Sequence, residues 1–294
     1  MSKNGKCAPS KDFKDGSCFE LKDLKLIAKS YNQRSKGKNT IDISDNKKDL
    51  VKQIDKKLQN VCDDQICWLR QDFIKQIESD EIHKNTFKPI GPKGKYEWLS
   101  TTHINDVIEQ YMNIHKDFIF LGAVPIDFDD LPVLGISNLN FGELKGGGKN
   151  KLGIIFNLDE HYKSGSHWVA LYTDLSKDQV YFFDSYGKKP EKRIRKLISR
   201  IVKFMYTNKY KKNLTVKKVI ENIKGGSLDK ETFKELKSLD IDYNKVRHQF
   251  KNSECGVYSI NFILRLLDGQ SFKHISINKT YDDKMNENRK KYFR

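Results

Sequence analysis

The sequence predicts an α+β fold, and three observations carry that prediction. Amphipathic helical patterns fill residues 1–90. Short apolar runs with strand character gather between residues 118 and 184. A strongly apolar helical segment then closes the pattern after residue 256. Helices, then clustered strands, then a closing helix is the order of a sheet with helices segregated around it, not of alternating βαβ units.

The elements follow in order. Ser17-Cys18-Phe19-Glu20 has the form of a capping box, and Leu21, Leu24, Ile27, Ala28 and Tyr31 continue on one helical face. Residues 33–39 are a polar, basic linker. Residues 41–61 predict a second helix with Leu50, Val51, Ile54, Leu58 and Val61 inward, and residues 67–77 a third. Proline and glycine breaks over residues 89–95 place a boundary between an N-terminal helical arm, residues 1–90, and a core, residues 91–294. In the core, Trp98-Leu99-Ser100 leads into a short helix around Ile104, Val107, Ile108 and Tyr111. Strands are expected over residues 118–124, 153–157, 167–173 and 179–184, a helix over 193–206, and a returning strand over 242–248. The lysine-rich stretch around residues 207–240 is expected to be a helical insertion.

Composition narrows the function classes. The 294 residues carry a formal net charge of +16, which suits an acidic partner such as nucleic acid. The 55 basic residues are 46 Lys and only 9 Arg, whereas nucleic-acid surfaces favour Arg for its bidentate fork. The lysine excess is equally compatible with an A/T-rich genome. No apolar run reaches the roughly 18 residues of a membrane span, and the polar opening, Met1 to Lys11, is not that of a signal peptide. With five cysteines, an odd number, the expectation is a reducing compartment and free thiols. Cys7, Cys18, Cys62 and Cys67 invite a zinc reading, but their spacing is poor for one and buried structural thiols are preferred. Gly146-Gly147-Gly148 lacks the Gly-Lys-Ser/Thr ending of a phosphate loop and reads as a flexible loop. No metal and no cofactor is assigned.

The chemistry concentrates in residues 247–258. Cys255 stands just before an apolar helical stripe of Val257, Ile260, Ile263, Leu264 and Leu267. A helix start favours a thiolate through the macrodipole and offers free N–H groups to an oxyanion. Of the seven histidines, His167 opens a strand, and the turn-like residues 174–177 follow that strand. A symmetric hairpin closed by Thr173 opposite Asp178 sets Tyr172 against Gln179 and His167 against Asp184. Facing residues lie about 5 Å apart, so the carboxylate is in reach of the ring. A one-residue slip would separate the two onto opposite faces. Taken alone, a strand-end histidine and a turn-starting aspartate are unremarkable; with Gln249 six residues before Cys255-Gly256 they form a pattern.

That pattern resembles the cysteine peptidase superfamily of SUMO-specific proteases and the adenovirus protease. It runs over Trp98-Leu99, Gly165-Ser166-His167-Trp168-Val169, Tyr181-Phe182-Phe183-Asp184-Ser185, and Gln249 through Cys255-Gly256-Val257-Tyr258. It is most similar to the polyprotein-processing proteases of large DNA viruses, the African swine fever virus type among them. The resemblance implies an adenain-like, papain-like core: a mixed central sheet flanked by helices. It implies Cys255 as nucleophile, His167 as general base and acid, Asp184 as its orienter, and Gln249 with the Cys255 N–H as oxyanion donors. Asn252 is a competing amide. Trp98 and Trp168 are either core packing or, as the resemblance implies, walls of a channel that admits only glycine. The implied substrate is a Gly-Gly polypeptide, a viral structural polyprotein in the host cytoplasm and virion, with a ubiquitin-like modifier as the alternative. An inactive nucleic-acid or protein-binding module is the third reading. Gly146–Gly148 and Gly225-Gly226 are then candidate self-cleavage points as well as ordinary turns.

Overall fold

Five strands form one mixed sheet in the order β1-β2-β3-β4-β5. They are β1 (Phe118–Pro125), β2 (Lys151–Asn157), β3 (Trp168–Asp174), β4 (Gln179–Phe183) and β5 (Asp240–Tyr243). β1 with β2 and β4 with β5 are parallel, whereas β2–β3 and β3–β4 are antiparallel. This is a computed structural model, and it describes residues 3–35, 37–223 and 230–294. The chain divides into two compact units, residues 1–91 with 290–294, and residues 92–289.

In the larger unit the sheet is covered on both faces. Val169, Leu171, Val180 and Phe182 pack against Ile194, Leu197, Ile201 and Met205 of the long helix Lys192–Tyr210. On the other face Phe183 stacks on Phe262 at 4.9 Å, and Tyr181 stacks on Phe272 at 4.5 Å. Phe262 belongs to the helix Cys255–Leu267, buried on nearly every side, as a helix apolar around most of its surface must be. Numbered along the chain, the helices are α1 (Leu21–Arg34), α2 (Lys47–Leu58), α3 (Gln65–Trp68), α4 (Asp72–Lys75), α5 (Asp80–His83), α6 (Thr101–Tyr111), α7 (Phe141–Gly146) and α8 (Lys192–Tyr210), followed by α9 (Val216–Ile223), α10 (Lys230–Lys237), α11 (Cys255–Leu267), α12 (Phe272–Ile277) and α13 (Asp282–Tyr292).

The smaller unit has its own core. Leu24, Ile27 and Ala28 of α1 meet Leu50, Val51 and Ile54 of α2, and Phe19 stacks on Trp68 at 5.8 Å. The capping box lies three residues later than the sequence pattern placed it. Glu20 is the N-cap of α1 and Asp23 returns the bond, while the Ser17 hydroxyl accepts from Phe19 N–H and donates to Gln65. The second helix starts at the N-cap Asn46 and stops at Leu58, and one-turn helices α3 and α4 replace the expected helix over residues 67–77.

That early stop of α2 corrects the cysteine expectation. Cys62 follows the turn that ends α2, and Asp64 caps α3 so that the chain doubles back. Cys62 and Cys67 are thereby brought to a Cα separation of 5.4 Å and bonded. Cys7 and Cys18 are likewise paired, at 5.4 Å, within the range a disulfide spans. These four are not free thiols. Among the described residues, no group of three His, Cys, Asp or Glu side chains is placed to hold a metal, and no helix is long and apolar enough to cross a membrane.

The glycine run also resolves locally: Gly146 ends α7 and Gly148, at φ +80°, turns the chain into β2. Gly225-Gly226 lies outside the described residues. Thiol titration of the unreduced, denatured protein is expected to find one free thiol per chain, Cys255. Five reactive thiols would contradict both pairings.

Candidate active site

Cys255 is the first residue of α11, with Glu254 as N-cap. No side chain caps that end, so its first N–H groups remain available. The thiol is buried, the residue being 2% exposed. Gly256 allows the approach that buries it: a Cβ there would stand 3.0 Å from the Leu99 Cβ. Leu99 in turn accepts, through its carbonyl, a 2.9 Å hydrogen bond from the Trp168 indole N–H. The residue after the cysteine thus sits directly under the segment that carries Trp98.

His167 Nε2 lies 2.7 Å from Asp184 Oδ1, both residues buried. The pairing arises by a register different from the symmetric hairpin. Tyr172 faces Tyr181 and Ala170 faces Phe183, a shift of two residues. A two-residue shift preserves side-chain parity, so His167 and Asp184 become diagonal neighbours rather than a facing pair. Both lie one residue outside the strands, where the chain is free to turn. Asn244 fixes that turn: its Oδ1 accepts from Asp184 N–H at 2.8 Å and its Nδ2 donates to Asp184 C=O at 2.7 Å. Asn244 is available because β5 ends at Tyr243 instead of running over residues 242–248. The carboxylate also accepts the Tyr186 N–H at 2.8 Å. The Tyr186 ring stacks on the imidazole, centroids 4.5 Å apart.

Electrostatics follow from these contacts. Burial pushes the His167 pKa down, but hydrogen bonds and charge from Asp184 and Cys255 outweigh it and lift the pKa from 6.5 to about 9. With Nε2 committed to Asp184, Nδ1 is the nitrogen left for the thiol. His248, next to Gln249, is a contrasting case. It is buried against Phe183, its Nε2 meets the Ser276 carbonyl at 3.0 Å, and burial lowers its pKa. It is a neutral core histidine.

Gln249 is fully buried and its amide is held at both ends. Its Oε1 accepts the Ser185 hydroxyl at 2.6 Å and its Nε2 donates to the Lys251 carbonyl at 2.6 Å. Ser185 therefore decides which way the amide points, a role no local signal in the sequence disclosed. The loop between Gln249 and Cys255 is pinned by Asp282, which accepts the N–H groups of Phe250 and Lys251 at 2.8 and 3.0 Å. Asn252 lies on this loop, exposed to solvent. Trp98, 45% exposed, and Trp168, 5% exposed, line one cleft of about 450 Å³ with Leu99, Asn157 and Gly165. Gly165 has φ +92°, and a Cβ there would come within 2.5 Å of Asn157 Nδ2.

One further support came from outside the motifs. The Glu254 carboxylate, 1% exposed, takes Arg289 Nε at 2.9 Å and Asn286 Nδ2 at 2.8 Å, both from α13. Arg289 also donates to the Ser253 carbonyl at 3.1 Å. A buried acid beside the thiol is thus neutralised and tied to a helix more than thirty residues on in the chain.

A thiol, an imidazole and a carboxylate meeting at a helix start define the class: a cysteine protease. Residues 149–294 match the model of the Ulp1 protease family, C-terminal catalytic domain. A thiol protease of Acanthamoeba polyphaga mimivirus is 34% identical over 306 residues, covering 98% of this chain and 93% of the relative. The cysteine protease of African swine fever virus is 22% identical over 267 residues, covering 84% of this chain and 88% of the relative. The crystal structure of that protease superposes with a TM-score of 0.62 at 17% identity, covering 100% of this chain and 97% of the other, a likeness of fold. The chain belongs to the Ulp1 protease family, cysteine proteases that use a Cys-His-Asp triad.

Replacing Arg289 by Met leaves Glu254 buried and uncompensated, a loss of about 3–5 kcal/mol for a broken buried pair. Chemical denaturation is expected to show that loss and to show most of it restored in Glu254→Gln/Arg289→Met. A fully stable single variant would contradict the role given to the pair.

Proposed function

We propose that the chain is an endopeptidase cleaving after glycine pairs in viral structural polyprotein precursors, acting in the host cytoplasm and virion. The supporting observation is the access to Cys255. Its residue is 2% exposed, and the neighbouring cleft is walled by Trp98 and Trp168. A strand reaching such a thiol must be slender, and only glycine presents no Cβ. Similarity to viral proteases supports the polyprotein assignment.

In this reading Cys255 attacks the peptide carbonyl as a thiolate paired with protonated His167. The tetrahedral oxyanion meets the Cys255 N–H and the second amide hydrogen of Gln249, whose first is held by Lys251. His167, kept in place by Asp184, delivers its proton from Nδ1 to the leaving amine. Water then hydrolyses the thioester, with the imidazole as base. A second reading, release of a ubiquitin-like modifier, is favoured by the description of African swine fever virus relatives as SUMO-1 cysteine proteases. It uses the same residues and differs in the substrate.

A Gly-Gly peptide is expected to be cleaved, an Ala-Ala counterpart to be inert, and Cys255→Ala to be inactive. Efficient turnover of a SUMO–fluorophore conjugate with none of the peptide would transfer the assignment to the second reading. Gln249→Ala is expected to lower kcat by about 10²–10³, the usual effect of losing an oxyanion donor. Full turnover in that variant would move the role to Asn252 or to backbone donors alone. The protonated imidazole persists until the pH passes its raised pKa, so kcat is expected to fall as pH climbs through about 9. A descending limb near 6.5 would contradict the ion pair.

A further inference from the structure

We propose that Arg247, held between Tyr186 and Phe250, is a carboxylate-recognition site for the part of the substrate that leaves with the new amino terminus. The inference rests on the peptidase reading above and specifies its substrate. The guanidinium carbon lies 5.2 Å from the Tyr186 ring centre and 4.9 Å from that of Phe250. Arg247 Nε donates to the Gln249 carbonyl at 2.7 Å, which tethers the group, and among the described residues its two terminal nitrogens have no hydrogen-bond partner. Arg247 and Phe250 are both exposed.

The charge of this group is not neutralised. Among the described residues no carboxylate pairs with Arg247, whereas Arg193 is paired with Asp129 and Asp130, and Arg289 with Glu254. The nearby acids are already engaged: Asp282 takes two backbone N–H groups and Asp283 pairs with Lys251. Lys279 lies 5.7 Å over the Phe250 ring and Lys188 5.8 Å over the Tyr186 ring, adding two more cations without an acid partner among the described residues. A planar fork whose rotamer is already fixed by aromatic contacts is the geometry that binds a carboxylate through two parallel hydrogen bonds.

Position ties this rim to catalysis. Tyr186 stacks on the His167 ring, so the rim begins one ring away from the imidazole. The tryptophan cleft adjoins the same imidazole through Trp168, yet none of Tyr186, Arg247 and Phe250 lines it. With the glycine side of the substrate in that cleft, the basic rim is left for the residues after the scissile bond. A merely structural Arg247, tethering the Gln249 loop, would act equally on every substrate.

The experiment uses fluorogenic Gly-Gly peptides that differ only by Asp or Asn, scanned through the four positions after the cut and the two positions before the glycine pair. The full-length enzyme is expected to favour Asp by about tenfold in kcat/KM, chiefly through KM, at one or more positions after the cut, and less at high salt. Arg247→Gln is expected to bring the Asp/Asn ratio to about one. Arg247→Lys, which keeps the charge and loses the fork, is expected to retain part of it. Equal cleavage of both peptides by the wild type, a preference only on the glycine side, or a ratio unchanged in Arg247→Gln would overturn the proposal and leave the peptidase reading standing. Failure to cleave any glycine peptide would overturn both.

Discussion

The site depends on one hydrogen bond, from the His167 ring to Asp184, at 2.7 Å between two buried residues. Burial alone would favour a neutral imidazole, and a neutral imidazole whose one N–H points at Asp184 carries no proton on Nδ1. The carboxylate reverses that preference and fixes which ring nitrogen faces the sulfur. Everything else at the site either positions those two groups or brings the thiol to them. Asn244 grips the Asp184 backbone on both sides, and Tyr186 covers the ring face.

The sheet and α11 serve the same end from opposite directions. The antiparallel β3–β4 pair brings two chain ends together, which places a histidine and an aspartate seventeen residues apart within bonding distance. α11 packs its apolar surface on that sheet through Phe262 and Phe183, and this aims its first turn at the imidazole. The Glu254–Arg289 pair then locks the preceding residue. A buried ion pair is weak evidence for stability but costly to break, and here it fixes the residue preceding the thiol.

Much of this was legible in the amino-acid pattern because the chemistry is local. Cys255 before an apolar stripe, His167 at a strand start and Asp184 at the end of the next strand are visible without coordinates. The register was not. The turn between β3 and β4 keeps four residues but lies one position further along the chain, over 175–178 instead of 174–177, which shifts the register by two residues and keeps the contact only because parity survives. The partners that orient the site were invisible for a different reason. Asn244 reaches Asp184 across sixty positions, Ser185 reaches Gln249 across sixty-four, and Arg289 reaches Glu254 across thirty-five, so no periodicity joins them. The disulfides are not legible from composition, since an odd cysteine count is equally that of two pairs and one free thiol.

The most direct measurement is the titration of the His167 ring nitrogens by NMR in the wild type and in Asp184→Asn. The imidazole is expected to stay protonated through neutrality and to lose its proton at about pH 9, with the midpoint falling well below that once the carboxylate is removed. A ring that titrates at or below 6.5 in the wild type, and is indifferent to Asp184, would contradict the interaction on which the site is built.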